Sequence, residues 1–234
     1  MTGPNTSYYY TTTAYPAAPA RYATSPIEIR DLLIAFIVLT FDLMLIIGSL
    51  SLFAGVSSLA GFLSLSTFAI AATAAVTGFL AHELAHKFVA QRHHAWAEFR
   101  MSPSGLAFSV LTASFGFLFA APGATVVGGM NDLREWGRTS LAGPMTNLAF
   151  SAVFFAGAVA TSVSHLSAAV VGAFLWLTFF NGWFATFNLL PFGPLDGAKV
   201  MRWSRTTWIG AIVICGAMTI VGALALYGQI SVPT

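Results

Sequence analysis

Apolar residues along this chain gather into long runs instead of one face repeated at a helix or strand period. The run from Leu32 to Ala81 is too long for one membrane crossing and is interrupted at Gly48, Gly55 and Gly61, so it predicts two helices, near residues 31–53 and 66–91. Further runs predict helices near residues 139–161, 167–187 and 207–228. Each run approaches or exceeds the roughly 18–20 residues that a spanning helix needs. A shorter stretch, Leu106 to Ala121, stops at Pro122 and Gly123. Residues 1–26, with three consecutive tyrosines, three threonines and prolines at 4, 16, 19 and 26, predict a disordered N-terminal tail ahead of a transmembrane domain over 27–234. The tail lacks the basic-then-apolar order of a secretory signal, so the first apolar helix is expected to stay as an anchor.

Composition sharpens this picture: 57% hydrophobic and 8% charged residues lie far from the roughly 25% charged of soluble domains. The class is an all-α polytopic membrane protein of about five to six transmembrane helices, and a soluble globular domain is excluded. The net charge of +2 comes without a basic stripe interleaved with aromatics, so nucleic acid is not an expected partner. The lone Cys215 offers neither an intrachain disulfide nor a thiolate cluster, which leaves metal binding to histidine and carboxylate.

Charge placement orients the chain. Loops 54–65 and 162–166 and the C-terminus are uncharged, whereas Arg21 and Arg30, then Lys87, Arg92, Arg100, Arg134 and Arg138, then Lys199, Arg202 and Arg205 mark the cytoplasmic side of a multi-pass cell-membrane protein. With the N-terminus inside, five crossings satisfy this order only if residues 106–121 enter the membrane and return. Such a re-entrant or short β segment after the His82 helix is tolerated where it is buried in protein or lines a wet cavity.

The chemistry centres on His82-Glu83-Leu84-Ala85-His86. Histidines four apart share one helical face and can reach a single Zn²⁺, with Glu83 beside them as a candidate general base. A catalytic site of this kind uses three protein ligands and keeps the fourth position open. Asp196 is the candidate third ligand, because Asn188, Pro191, Gly193 and Pro194 bend the chain just before it; its alternative is to cap the basic segment that follows. Asn147 lies about 13 Å along a helix from Arg138, and His82 about 15 Å from Arg92, so one shallow pocket near the cytoplasmic side could hold all three motifs. Asn147 and Asn188 could hydrogen-bond to substrate backbone or a developing oxyanion, or simply join helices. Asp42 is expected to be a hydrogen-bonded structural acid or to face a polar cavity; His93 and His94 are expected at the interface, and His165 outside.

Three ordered segments, His82 to His86, Gly143-Pro144-Met145-Thr146-Asn147, and Asn188 through Pro191 to Leu195-Asp196-Gly197, resemble the motifs of the site-2 protease family. The resemblance covers residues 31–228 and departs at Ala198, where a second glycine is usual. It implies a three-helix catalytic core, zinc held by His82, His86 and Asp196, Glu83 activating water, and a transmembrane protein substrate cleaved within the lipid bilayer. No appended PDZ-like or CBS-like module is expected. A prenyl-protein endopeptidase would need a later glutamate-rich motif, which Glu98 and Glu135 do not form. A non-catalytic zinc-binding membrane protein, a transporter or an inactive chaperone, is the alternative of a different class.

Overall fold

A bilayer offers backbone N–H and C=O groups no partner except one another, so long apolar runs resolve into helices. The computed structural model describes residues 24–50, 59–119 and 121–232. The expected tail over residues 1–26 lies outside them as far as residue 23; the folded part reaches back to Thr24, which accepts a hydrogen bond from Lys87. In chain order come α1 (Pro26–Ile47), α2 (Leu59–Phe62), α3 (Leu65–Ala75), a π-helical turn (Val76–Leu80), α4 (Ala81–Arg92), β1 (Trp96–Met101), α5 (Pro103–Ser114), β2 (Gly123–Gly128), α6 (Leu133–Val163), α7 (Ala168–Asn188), α8 (Asp196–Trp203) and α9 (Arg205–Leu226).

Among the described residues, four helical stretches are long and apolar enough to cross a membrane: Leu65–Arg92, Leu133–Val163, Ala168–Asn188 and Arg205–Leu226. The first is α3 and α4 joined without a break by the π-helical turn. α1 is equally long, 22 residues, but carries Glu28, Arg30, Asp31 and Asp42. Its polarity is inside out: Glu28, Asp31 and Asp42 are buried, while Ile27, Leu33, Ile37 and Phe41 are exposed. On that pattern α1 keeps its carboxylates inside and presents an apolar outer face. It starts at Pro26, five residues before the predicted boundary, because Ser25 caps it by accepting the Glu28 N–H at 3.1 Å and its carboxylates find partners inside.

Those partners belong to a two-stranded antiparallel sheet, in which Trp96 faces Gly128 and Met101 faces Gly123. The N–H groups of Phe99 and Met101, on the outer edge of β1, donate to Glu28 Oε1 at 3.1 Å and Asp31 Oδ2 at 3.3 Å. Glu28 is also ion-paired to the buried Lys87 of α4, so the start of α1, the sheet and the histidine-bearing helix are bolted together. Between the strands, α5 is 12 residues long, about 18 Å and too short to span. The chain returns to its starting point, where the Ser102 N–H meets the Pro122 carbonyl at 2.8 Å. The chain therefore leaves at residue 103 and is back at the same end of the bundle by residue 122, which agrees with the return expected from the charge pattern. Ser109 of α5 donates to Asp42 Oδ2 at 2.6 Å, which makes Asp42 a structural acid that holds this segment against α1.

Around the sheet, α6 packs against α4 and α7, and α7 against α9. Leu39, Leu43, Phe79, Phe99, Phe180 and Phe184 form the main apolar core. The charges gather at one end of this bundle. Among the described residues, the turns at the other end, 48–50, 59–64, 163–167 and 227–232, hold no Lys, Arg, Asp or Glu.

Candidate metal centre

His82 and His86 come from successive turns of α4 and present their Nε2 atoms to each other at 2.9 Å. Asp196, the first residue of α8, brings Oδ2 to 2.9 Å from His86 Nε2 and 3.4 Å from His82 Nε2. All three residues are buried, and one donor atom from each lies within 4.8 Å of the others. The sequence places Asp196 near the histidines only by depth; the loop after α7 supplies the rest. Gly193 takes a left-handed φ of 61° there, and a Cβ on Gly197 would collide with the Leu189 carbonyl, so this turn closes only around a glycine.

The outer atom of each imidazole is tied down. The carbonyl of Thr139, which can only accept, lies 2.7 Å from His86 Nδ1, so Nδ1 carries the proton. The Asn147 carboxamide donates through Nδ2 to the carbonyls of Gly78 and Thr77, at 2.9 and 3.3 Å, which turns Oδ1 toward His82 Nδ1 at 2.5 Å. Both Nε2 lone pairs are thereby aimed inward at a carboxylate oxygen. Three converging lone pairs in a buried space repel unless a cation sits among them. Two imidazole nitrogens and one carboxylate oxygen are a donor set that suits zinc, so the residues present fit the metal.

Glu83 lies one residue on from His82, on the pocket wall beside this cluster. Thr125 of β2 fixes its carboxylate, donating to Oε2 through its backbone N–H at 3.0 Å and its hydroxyl at 2.7 Å. The pocket opens between α4, β2, α7 and α8 and is also lined by Asn188 and Lys199.

The two asparagines part company here. Asn188 reaches the pocket wall, with Nδ2 donating to the Phe184 carbonyl of its own helix at 3.0 Å. Asn147 is fully buried, is not on the pocket wall, and gives its carboxamide to His82 and the π-helical turn, which is the helix-joining alternative. His93 pairs with Glu135 at 3.2 Å at the charged end, and His165 lies exposed at the uncharged end. Sequence reasoning did not single out Thr125, Thr139, Lys199 or Asn181. Asn181 is fully buried, its Nδ2 donating to Thr77 Oγ1 at 3.0 Å, and it braces the same turn as Asn147. An amide inside the apolar run of α7 was a signal for it; Thr139 acts through its backbone, for which the sequence holds no signal.

Gly143 has a separate task. A Cβ there would collide with the Nε2 atoms of both histidines, so glycine lets α6 close over the donor cluster. Pro144, buried in the middle of α6, lacks the N–H that would have bonded the Ser140 carbonyl and so loosens the helix at the same level.

Two known proteins are similar to this sequence, and the first is covered far enough to show the family. The chain is 37% identical over 149 residues to MJ0611 of Methanocaldococcus jannaschii, named as a zinc metalloprotease, over 60% of this chain and 73% of that protein. It is 36% identical over 134 residues to Rip3 of Mycobacterium tuberculosis, also named as a zinc metalloprotease, over 56% of this chain and 30% of Rip3. No family model and no solved structure matches the chain. With the relatives' names, the membrane-spanning helices and the donor set in agreement, the chain belongs to the site-2 protease family of zinc metalloproteases.

Proposed function

We propose that this metalloprotease cleaves a peptide bond inside the transmembrane segment of another membrane protein, near the cytoplasmic face of the cell membrane. The observation that carries the reading is the convergence of His82, His86 and Asp196 beside Glu83, at a pocket built among membrane-crossing helices. Gathering of charge at that end supports the cytoplasmic placement, because basic residues concentrate in cytoplasmic loops.

His82 Nε2, His86 Nε2 and Asp196 Oδ2 would hold the zinc. Bound there, zinc polarises a carbonyl and lowers the pKa of water toward neutrality. Glu83 takes the proton from the attacking water and later delivers it to the leaving amine. Thr125 keeps the Glu83 carboxylate turned to the pocket. Asn147 and the Thr139 carbonyl keep the two imidazoles in the tautomer a ligand needs. Asn188, on the pocket wall, is placed to meet substrate backbone.

A peptide bond in a regular helix is shielded by its own hydrogen bonds, so the substrate must unwind where it is cut. Its freed backbone groups then need partners in a water-poor place. β2 runs along the pocket wall, while the outer edge of β1 is already taken up by Glu28 and Asp31. Substrates with Gly, Pro, Asn or Ser near the cut unwind most cheaply.

Reconstitution into liposomes with a tagged single-span reporter tests this reading. Wild-type protein should cut within the membrane-embedded segment, mapped by mass spectrometry, and Glu83→Gln should not, although it keeps its zinc. Cleavage confined to the water-exposed flanks, or a poly-Leu span cut as readily as one interrupted by Gly and Pro, would refute it.

A further inference from the structure

Lys199 stands one helical turn beyond Asp196 on α8, and its ammonium lies 3.2 Å from Asp196 Oδ1. The same carboxylate points its other oxygen, Oδ2, at the two histidines. The two oxygens are thus divided between different partners, and among the described residues Lys199 is the partner of Oδ1. An exposed pair at this spacing would carry little meaning. Here the Asp196 side chain is only 10% exposed, the Lys199 side chain is 37% exposed, and both line the pocket.

The arrangement completes a pattern. His82 has its far nitrogen held by Asn147, and His86 has its own held by the Thr139 carbonyl. Asp196 has its far oxygen held by Lys199, which alone of the three outer partners is a charged side chain. Carboxylates bind metals through one oxygen or through both. A second oxygen from Asp196 would be a fifth donor, added to the three protein ligands and the water of a catalytic zinc site.

We propose that Lys199 is a positioning residue that engages Oδ1 of Asp196, so that this ligand offers zinc Oδ2 alone and the site is held at three protein donors and one water. The proposal rests on the three-ligand reading of His82, His86 and Asp196. It carries an uncommon signature, because Lys199 also sets a positive charge beside the metal. Removing it takes away a repulsion and releases a second donor oxygen. Zinc should bind no more weakly while the coordination number rises.

The test uses full-length protein in detergent, wild type beside Lys199→Met, Lys199→Arg and Asp196→Ala. Lys199→Ala is a second neutral variant, and all are read on monodisperse fractions. The probes are Zn²⁺, titrated against a competing chelator, and Co²⁺, read by its visible absorption, which is strong in four-coordinate sites and weak at higher coordination. Lys199→Met and Lys199→Ala should lose about half or more of the Co²⁺ absorption while zinc binds equally or more tightly, and Lys199→Arg should restore the wild-type spectrum. An unchanged spectrum in the neutral variants would overturn the proposal. So would zinc binding weakened by about tenfold or more, the effect of losing an ordinary supporting partner. If Asp196→Ala leaves both readings as in wild type, the three-ligand reading falls first and takes the proposal with it.

Discussion

Replacing Gly143 by alanine sets two effects of opposite sign against each other. Gly143 lies in the interior of α6, where alanine in place of glycine favours the helix by roughly 0.5–1 kcal/mol. Against this, the new Cβ would fall 2.6 Å from His82 Nε2 and 2.7 Å from His82 Cδ2, and closer still to His86 Nε2, whereas ordinary contact begins at 3.4 Å. The His82 nitrogen must retreat by about 0.8 Å, the difference between 3.4 and 2.6 Å, and the His86 nitrogen by more. Zinc ligands tolerate about 0.2 Å, and a displacement of about 1 Å in such a constellation is worth roughly 100-fold. Zinc affinity should therefore fall about 100-fold, or about 2.7 kcal/mol, several times the gain in helix propensity. Competition with a chromophoric chelator measures the affinity, and the melting midpoint of the metal-free protein measures the fold. The expected result is a metal-free variant at least as stable as wild type that holds zinc about 100-fold more weakly. Zinc affinity within about threefold of wild type would refute the close approach of α6 to the histidines, and a broad loss of metal-free stability would show that Gly143 serves packing instead.

Glu83→Gln should lower turnover by about 10²- to 10⁴-fold with zinc content per chain unchanged, since Glu83 moves a proton and is not in the donor set. Asn147→Leu removes the partner of His82 Nδ1 and should weaken zinc by about 10- to 100-fold, read by the same chelator titration. Lys87→Met leaves Glu28, 1% exposed, as an unpaired buried charge, and should cost about 3–5 kcal/mol in denaturant unfolding, with much of that loss recovered in Lys87→Met/Glu28→Leu. Stripping zinc with a chelator should lower the melting midpoint of the wild type, and added zinc should restore it, because the metal binds the folded donor set alone.

Most of the membrane architecture was legible, because the property that defines a crossing, a run of apolar residues, is local in sequence. The re-entry of residues 106–121 was legible for a different reason: a sixth crossing would have put the basic loops on both sides. The start of α1 was hidden, since Glu28, Arg30 and Asp31 look like an interface when their partners, the N–H groups of Phe99 and Met101 and the ammonium of Lys87, lie 59 to 71 positions away. β1 did leave a trace. Ala97, Phe99 and Met101 alternate with Glu98 and Arg100, the period of a half-buried strand, whereas Gly123–Gly128, equally long, lacks that alternation and cannot be told from the return of a loop.

The candidate site divides along the same line between local and distant information. A histidine pair at i and i+4 needs only one helix to be understood, so its face could be read before any fold was known. Asn147 shows the limit of such reading. Counting residues from Arg138 gave its depth correctly, but depth says nothing about direction around the helix axis, and direction decides whether a carboxamide meets a substrate or the back of an imidazole. What turns it to His82 is the π-helical turn at Val76–Leu80, where Gly78 and Thr77 offer carbonyls that accept its N–H groups. That turn leaves no periodic signature in five residues of sequence. Thr125 and Lys199 were missed because their importance lies in what they touch, Glu83 and the far oxygen of Asp196. In a bilayer, where an unmatched polar atom is costly, the groups that carry the chemistry must each have a second partner. For the α4 groups those second partners come from α6 and β2, which only folding brings to them, whereas Asp196 takes its own from the next turn of α8.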